Sequence, residues 1–150
     1  MKLLTKDSDY AIRALQFIAQ THNGAVSSLE LSGSLKISWS FLRKILFILQ
    51  KNGIVKSNRG RSGGFKLIVQ PDSIYLLDII KMFQGGLSLT SCIINGQACQ
   101  HIDYCVLRKK LLVLEHKIID ELKNVTLKSL IDEEGRILES LKNRVQAECY

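Results

Sequence analysis

The sequence predicts a mainly α-helical protein with a small β wing, in which a winged helix-turn-helix domain precedes a long dimerisation helix. Three observations carry this prediction. Apolar residues recur at helical spacing in several short stretches of the first 86 residues. A glycine- and arginine-rich tip separates two β-rich runs between residues 54 and 69. A longer apolar stripe after residue 105 exceeds what one small core can cover.

These patterns divide the chain into four segments. Residues 1–86 form the predicted winged-helix DNA-binding domain, and residues 87–106 form a cysteine-rich loop. Residues 104–135 form the predicted dimerisation helix with a short helix after it, and residues 136–150 form a flexible tail. At 150 residues with 46% hydrophobic content, the chain can bury a core without disulfide or metal support.

The charge is strongly and unevenly basic. The net charge is +7, and residues 36–66 hold eight Lys or Arg and no Asp or Glu. Such a balance favours a polyanionic partner, above all double-stranded DNA, although a membrane surface also attracts positive charge. No apolar run approaches the length of a bilayer span, and the chain opens without a signal-peptide pattern. We therefore expect a cytoplasmic protein with no membrane partner.

The first two predicted helices have recognisable ends. Residues 5–21 carry an apolar stripe, with Thr5 as the predicted cap and two aspartates in the first turn, where the helix dipole favours carboxylates. Residues 27–30 read Ser-Ser-Leu-Glu, a capping box that opens a second, short helix. We expect Gly33-Ser34 to end this second helix.

The next helix completes a helix-turn-helix. Ser38 is its predicted cap, its apolar residues recur at helical spacing, and Asn52-Gly53 ends it. Side chains early on the second helix of such a motif face base edges and phosphates. The predicted DNA-binding residues here are Ser38, Ser40, Arg43 and Lys44.

The predicted wing follows directly. Two β-rich runs, 54–57 and 65–69, flank a tip that reads Asn-Arg-Gly-Arg-Ser-Gly-Gly. Glycines permit positive φ at the tip, and its arginines can reach a phosphate or a narrow minor groove. A plain solvated turn is a weaker interpretation, because it has no use for two arginines without a balancing acid. The predicted DNA-binding residues of the wing are Arg59, Arg61, Gly63 and Gly64.

The rest of the chain is helical by pattern. A short helix over residues 76–83 packs back onto the domain, and Gly85-Gly86 ends it. Asp103 is the predicted cap of a long helix that runs to about residue 122, and Thr126 starts one or two further turns. An apolar stripe of this length usually meets its own copy in a symmetric dimer. The stripe consists of Leu107, Leu111, Leu114, Ile118 and Leu122.

Three cysteines mark the loop before the long helix. Cys92, Cys99 and Cys105 are spaced C-x6-C-x5-C among polar residues, whereas Cys149, at the charged end, is a poor ligand candidate. In a reducing compartment clustered cysteines more often bind metal than pair. Three thiolates fit an iron–sulfur cluster or a zinc ion, and each needs a fourth ligand. His101 would complete a Cys3His zinc set, so the spacing leaves cluster and zinc equally open.

Taken in order, these motifs resemble the IscR/NsrR-type family of winged-helix transcription regulators of bacteria, and the similarity covers nearly the whole chain. The three-cysteine loop is part of it. The matching patterns are L-x-x-K-x-x-D-Y-A-I-R-A-L at 3–15, I-S-x-S-F-L at 37–42, R-G-R-x-G-G-F at 59–65 and T-L-x-x-L at 126–130.

The resemblance implies a homodimeric transcription factor whose loop cysteines hold a [4Fe-4S] or [2Fe-2S] cluster. IscR-like members carry a ligand His three residues beyond the last cysteine, where this chain has Arg108. NsrR-like members, the favoured branch, take an Asp from the first helix of the partner chain, and Asp9 occupies the matching position. The resemblance thus names Asp9 as fourth ligand, with His101 as the local alternative, and it implies a response to nitric oxide.

We therefore expect an iron–sulfur-cluster-dependent DNA-binding regulator and not an enzyme. It would be a repressor that senses nitric oxide or redox or iron status, with no small-molecule substrate beyond that signal. One alternative is a zinc-stabilised winged-helix protein that does not sense. A distant alternative is a thiol oxidoreductase, for which the chain lacks C-x-x-C and any catalytic triad pattern.

Overall fold

The structure, a computed structural model, describes residues 4–21, 25–58, 60, 63–89, 93–94 and 97–147. Within these ranges the chain is mainly helical, with two short antiparallel strand pairs and one 3-10 turn at Pro71–Ser73. The helices are α1 (Lys6–Gln20), α2 (Ser28–Leu35), α3 (Trp39–Lys51), α4 (Leu76–Gln84), α5 (Val106–Lys123) and α6 (Leu127–Ala147). The strands are β1 (Val55–Asn58), β2 (Gly64–Leu67), β3 (Ile93–Ile94) and β4 (Gln97–Ala98).

The core lies where α1 to α4 meet the wing, and this arrangement confirms the predicted winged helix-turn-helix. Each helix turns its apolar stripe inward because residues three and four apart share one face. The predicted caps also hold: Thr5, Ser27 and Ser38 each accept a backbone amide from the first turn of the helix that follows. The fully buried side chains include Leu15, Leu31, Leu42, Ile45, Leu49 and Ile79.

The turn between α2 and α3 differs from the sequence expectation. The prediction that Gly33-Ser34 ends the second helix is wrong, because α2 runs on to Leu35. An interior glycine costs a helix only about 1 kcal/mol relative to alanine, so one glycine does not stop it. The chain turns instead at Lys36, whose φ is 53° and whose amide donates to the Gly33 carbonyl at 3.3 Å.

The wing is the predicted hairpin with one additional bridge. β1 and β2 pair antiparallel, with Ser57 opposite Phe65. On the other edge of β2, the Val26 amide donates to the Phe65 carbonyl at 2.9 Å, and the Phe65 amide donates to the Val26 carbonyl at 2.7 Å. The wing is therefore fixed to the segment that leads into α2.

The helix after the cysteine loop begins later than predicted. Asp103 lies within a series of turns over residues 100–104 and does not cap it. Cys105 is the cap instead, and its Sγ accepts the Arg108 amide at 3.4 Å. The helix ends at Lys123, as the apolar pattern predicts to within one residue.

The last helix is longer than the one or two turns predicted after Thr126. α6 continues to Ala147, so residues 136–147 are helical. Its start is anchored, since Leu127 is buried and its amide donates to the Ile74 carbonyl at 2.8 Å. Exposed pairs at i,i+4 spacing, such as Lys128 with Asp132 at 2.6 Å, support a solvated helix of mixed charge.

α5 packs beside α4 and leaves its apolar stripe partly exposed. None of its residues, all within the described part of the chain, is buried. Leu107 is 67% exposed and Leu114 is 50% exposed. Among the helices of the described ranges, none is long and apolar enough to cross a membrane.

Candidate nucleic-acid interface and cysteine loop

The exposed side of α3 carries the predicted recognition residues. Ser38 accepts the Phe41 amide as the cap and lies 3.2 Å from Ser40, hydroxyl to hydroxyl. Ser40, Arg43 and Lys44 all point to solvent, because the opposite face of α3 fills the core. With no acid in its first turn, the N-terminal end of α3 presents a positive dipole end and exposed hydroxyls to any polyanion.

Arg43 and Lys44 are neighbours in sequence with different surroundings. The Lys44 ammonium lies 2.6 Å from a carboxylate oxygen of Asp7 on α1, which neutralises it. Arg43 instead lies over the Trp39 indole, with its guanidinium carbon 5.3 Å from the ring centroid. The two cations therefore face different partners before any DNA arrives.

Two exposed aromatic side chains were missed by sequence reasoning. Trp39 is 52% exposed and Phe47 is 66% exposed, and both line an open groove of about 400 Å³ between α3, the start of α2 and the wing. Phe65 of the wing lines its far side. Their positions in the sequence could have revealed them, because both aromatics lie outside the buried apolar stripe of α3 and must therefore face the surface.

The wing residues divide into those with a steric role and those not described. A Cβ on Gly64 would lie 2.6 Å from the Val26 carbonyl carbon, and one on Gly63 would lie 2.6 Å from the Asn58 carbonyl oxygen. These glycines are therefore required for close backbone approach, whatever else they contact. Arg59 and Arg61, the predicted wing anchors, lie outside the described residues.

The described part of the cysteine loop contains two free thiols. Cys99 and Cys105 are both half-buried. Cys92 lies outside the described residues, and within those residues no three His, Cys, Asp or Glu side chains form a metal-binding group. The cap at Cys105 sets one thiol at the start of a helix, where the dipole and free amides favour negative charge.

The two candidates for a fourth ligand have partners of their own. His101 is exposed, and its Nδ1 hydrogen-bonds the Tyr104 hydroxyl, with the two rings edge to face. Asp9 is 42% exposed at its side chain and accepts from the Arg13 guanidinium at 3.1 Å, one helical turn along α1. Both are accessible, and the described contacts place neither against Cys99 or Cys105.

Three hydrogen bonds tie the segment before the loop to its neighbours. Gln84, the last residue of α4, accepts from the Thr5 amide and from the Ser8 hydroxyl, both at 3.0 Å. Five residues later, the Leu89 amide donates to the Glu115 carboxylate on α5 at 2.8 Å. The stretch that enters the loop is thus held at one end by the start of α1 and at the other by α5.

A helix-turn-helix that shares its core with α1 and α4, together with an adjoining β hairpin, defines a winged-helix DNA-binding protein. Residues 4–133 match the family model of Rrf2, described as an iron-dependent transcriptional regulator. The chain belongs to the Rrf2 family of transcriptional regulators. The expectation that it is not an enzyme is thereby confirmed, and the thiol oxidoreductase alternative is removed.

Individual relatives agree with this assignment. An HTH-type transcriptional regulator IscR from Erwinia tasmaniensis is 32% identical over 130 residues, which cover 86% of this chain and 78% of the relative. CymR, the global cysteine regulator of B. subtilis, superposes with a TM-score of 0.72 at 22% identity, over 89% of this chain and 98% of that one. IscR of T. potens gives 0.71 at 24% identity, over 89% and 88%. These two solved structures share the fold of this chain.

Proposed function

We propose that this protein is a homodimeric, iron–sulfur-cluster-dependent repressor whose DNA affinity responds to nitric oxide or to redox or iron status. The observation that carries the proposal is the position of Cys105. It caps α5 with its sulfur, in the same loop as the half-buried thiol of Cys99 and directly before the exposed apolar stripe. One residue thereby joins the cysteine loop to the helix proposed as the dimer seam.

The donor set fits a cluster by its chemistry. The thiolate is the ligating form of cysteine, and the start of a helix favours negative charge. The residues that would hold a [4Fe-4S] or [2Fe-2S] cluster are Cys92, Cys99 and Cys105, with Asp9 of the partner subunit or His101 as fourth ligand. When bound, the cluster would supply an iron whose non-cysteine position is open to exchange with a small ligand.

Asp9 suits an exchangeable ligand position because its side chain is half-exposed and, among the described residues, its carboxylate is paired only with a surface arginine. Its carboxylate is held by Arg13 in a surface pair of the kind worth at most about 1 kcal/mol. Releasing Arg13 therefore costs little, and a carboxylate so placed can move between two partners. His101 suits a permanent position better, since its Nδ1 contact with Tyr104 fixes the ring in the manner of a metal-ligating histidine.

The proposed dimer rests on the exposed stripe of α5. Leu107, Val113 and Leu114 are each at least half exposed, an arrangement that costs free energy in water unless a partner covers it. A second copy supplies an equal stripe, and two-fold symmetry then sets two α3 helices at a fixed separation. Half-sites about one helical turn of DNA apart, or a multiple of it, would match that spacing.

DNA binding would use α3 in the major groove and the wing beside it. Ser38, Ser40, Arg43 and Lys44 would supply the α3 contacts, and Arg59, Arg61 and the backbone at Gly63 and Gly64 would supply those of the wing. The contacts of Gln84 with α1 and of Glu115 with Leu89 offer a path by which order in the loop biases the separation of the two α3 helices.

The test is the visible absorption spectrum and iron content of protein purified without oxygen. We expect a brown protein whose colour is lost in Cys92→Ala, Cys99→Ala and Cys105→Ala and retained in the matched control Cys149→Ala. Asp9→Ala should form the chromophore but lose it faster in air. A colourless protein containing zinc, with the metal lost in His101→Ala, would replace the cluster by the zinc-stabilised alternative.

A further inference from the structure

The groove beside α3 contains a stacked pair that the recognition-helix assignment does not explain. Trp39 and Arg43 lie one helical turn apart, with the guanidinium carbon 5.3 Å from the indole centroid. The indole itself is held, because its Nε1 donates to the Ser28 hydroxyl at the start of α2 at 3.4 Å. Ser28, Trp39 and Arg43 therefore form a chain of contacts that ends in a positioned guanidinium.

Arg43 keeps its hydrogen-bonding capacity in this arrangement. A cation–π contact engages the charge of the guanidinium and uses none of its five N–H donors. Among the described residues, Arg43 has no acidic partner, whereas the adjacent Lys44 is 2.6 Å from Asp7. Of the adjacent cations Arg43 and Lys44, Arg43 alone is both held in place and without an acidic partner within that part of the chain.

The groove around Trp39 and Arg43 is suited to contact the edge of a DNA base pair. The groove is open, with Phe47 and Phe65 as apolar walls. Apart from Ser28, its lining residues fall within residues 36–66, which carry eight basic and no acidic residues. Arginine binds guanine O6 and N7 with two N–H groups, the commonest specific contact in the major groove. Because the Arg43 side chain is already held over Trp39, binding would cost less side-chain rotamer entropy.

We propose that Arg43, positioned by Trp39, reads a guanine in each half-site, and that Lys44 serves mainly to hold α3 against α1. This inference rests on the proposed function, since it names the base that the α3 interface selects. Arg43 makes the base contact, and Trp39 is a positioning residue that acts through it.

The experiment starts from double-stranded DNA selected out of a random-sequence library by the full chain, purified without oxygen. Each guanine of the enriched half-site is replaced in turn by 7-deazaguanine, which lacks the N7 acceptor. At one position the wild-type affinity should fall by about 5-fold or more. For Arg43→Ala and Arg43→Lys the same replacement should change the affinity by less than about 2-fold, because neither side chain makes the paired contact.

Trp39 and Lys44 variants separate positioning from charge. Trp39→Ala should reduce the discrimination against 7-deazaguanine, and Trp39→Phe should restore most of it, because a phenyl ring keeps a face for the guanidinium. Lys44→Ala, the matched control, should change the affinity for both duplexes by the same factor and so leave the discrimination intact.

The outcomes are distinguishable. Equal sensitivity of wild type and Arg43→Ala at every guanine would overturn the guanine contact while leaving DNA binding in place. Loss of discrimination in Lys44→Ala but not in Arg43→Ala would show that Lys44, and not Arg43, contacts the guanine. That result would overturn the inference. Selection that enriches no sequence at all would overturn the proposed function and this inference together.

Discussion

The winged-helix domain and the C-terminal helices bury their apolar side chains to different extents. In α1 to α4 the stripes converge on one another, and the largest side chains are fully buried. In α5 no residue is buried, and among the described side chains of α6 burial is confined to the start, while Ile137, Leu138 and Leu141 remain half exposed. The first region buries its stripes in one core, to which the start of α6 adds Leu127, whereas the second leaves much of its apolar surface exposed.

This contrast separates helices that are stabilised by a shared core from a helix whose apolar side chains remain largely exposed. Burial of apolar area is the main favourable term in folding, so the core shared by α1 to α4 contributes most of the stability and α5 contributes little. Coupling between the cysteine loop and DNA then becomes possible, because the loop leads straight into the less stabilised helix. Elements that move in regulation are drawn from such regions.

The largest expected effect comes from a matched pair of leucine truncations. Leu49→Ala removes a fully buried side chain from the core and should lower the free energy of unfolding by about 2–5 kcal/mol. Leu114→Ala, at 50% exposure, should lower it by less than about 1 kcal/mol in dilute monomer. Urea denaturation at nanomolar protein measures both, and equal losses would remove the distinction between the two regions.

A charge on the apolar stripe of α5 should disrupt the proposed dimer. Leu111→Glu or Leu114→Glu would bury an unpaired carboxylate twice in a two-fold apolar interface, and self-association should weaken by about 100-fold or more. His116→Glu adds the same charge on the exposed side of α5 and serves as the control. Sedimentation equilibrium measures the change, and a wild-type monomer at micromolar concentration would contradict the dimer.

A methyl group added to a wing glycine should lower the stability of the fold by a smaller amount. In Gly64→Ala the new Cβ meets the Val26 carbonyl carbon at 2.6 Å, so the bridge must open, and the loss of stability should be about 1–3 kcal/mol. Gly33→Ala is the matched control, because nothing lies within 4 Å of that position, and it should stabilise α2 by about 0.5–1 kcal/mol. Thermal unfolding of both variants checks the sign.

The smallest effect concerns two surface ion pairs, one in each region. Asp7→Asn breaks the 2.6 Å pair that joins α1 to Lys44 and should cost less than about 1 kcal/mol, with the loss disappearing in high salt. Asp120→Asn breaks a pair within α5 and should cost no more than about 0.5 kcal/mol. A larger loss at Asp120 would show that α5 is held more firmly than its exposure indicates.

The winged-helix domain was largely predictable because its signals are local. Ser27 and Ser38 cap where their hydroxyls predict, and Asn52 ends α3. The errors have physical causes. Gly33 lies mid-helix because the cost of one glycine is small beside the burial of Leu31 on the same helix.

The later part was harder because it depends on tertiary context. Cys105 caps α5 in place of Asp103, since the turns before it delay the helix. The length of α6 was missed, because a charged, mixed-sign sequence predicts a solvated segment without saying whether it is helical. At the candidate site the sequence named Arg43 and Lys44 as equals, and only the structure separates them by their partners, Trp39 and Asp7.

The most direct test of cluster-dependent regulation is the affinity of one protein sample for DNA before and after the cluster is removed. Brown, oxygen-free protein is titrated into a fluorescently labelled selected duplex, and the titration is repeated after treatment with nitric oxide or an iron chelator. We expect the affinity to fall by about 10-fold or more, in step with the loss of visible absorption. An unchanged affinity in protein that has lost its colour would contradict the proposal that the cysteine loop controls DNA binding.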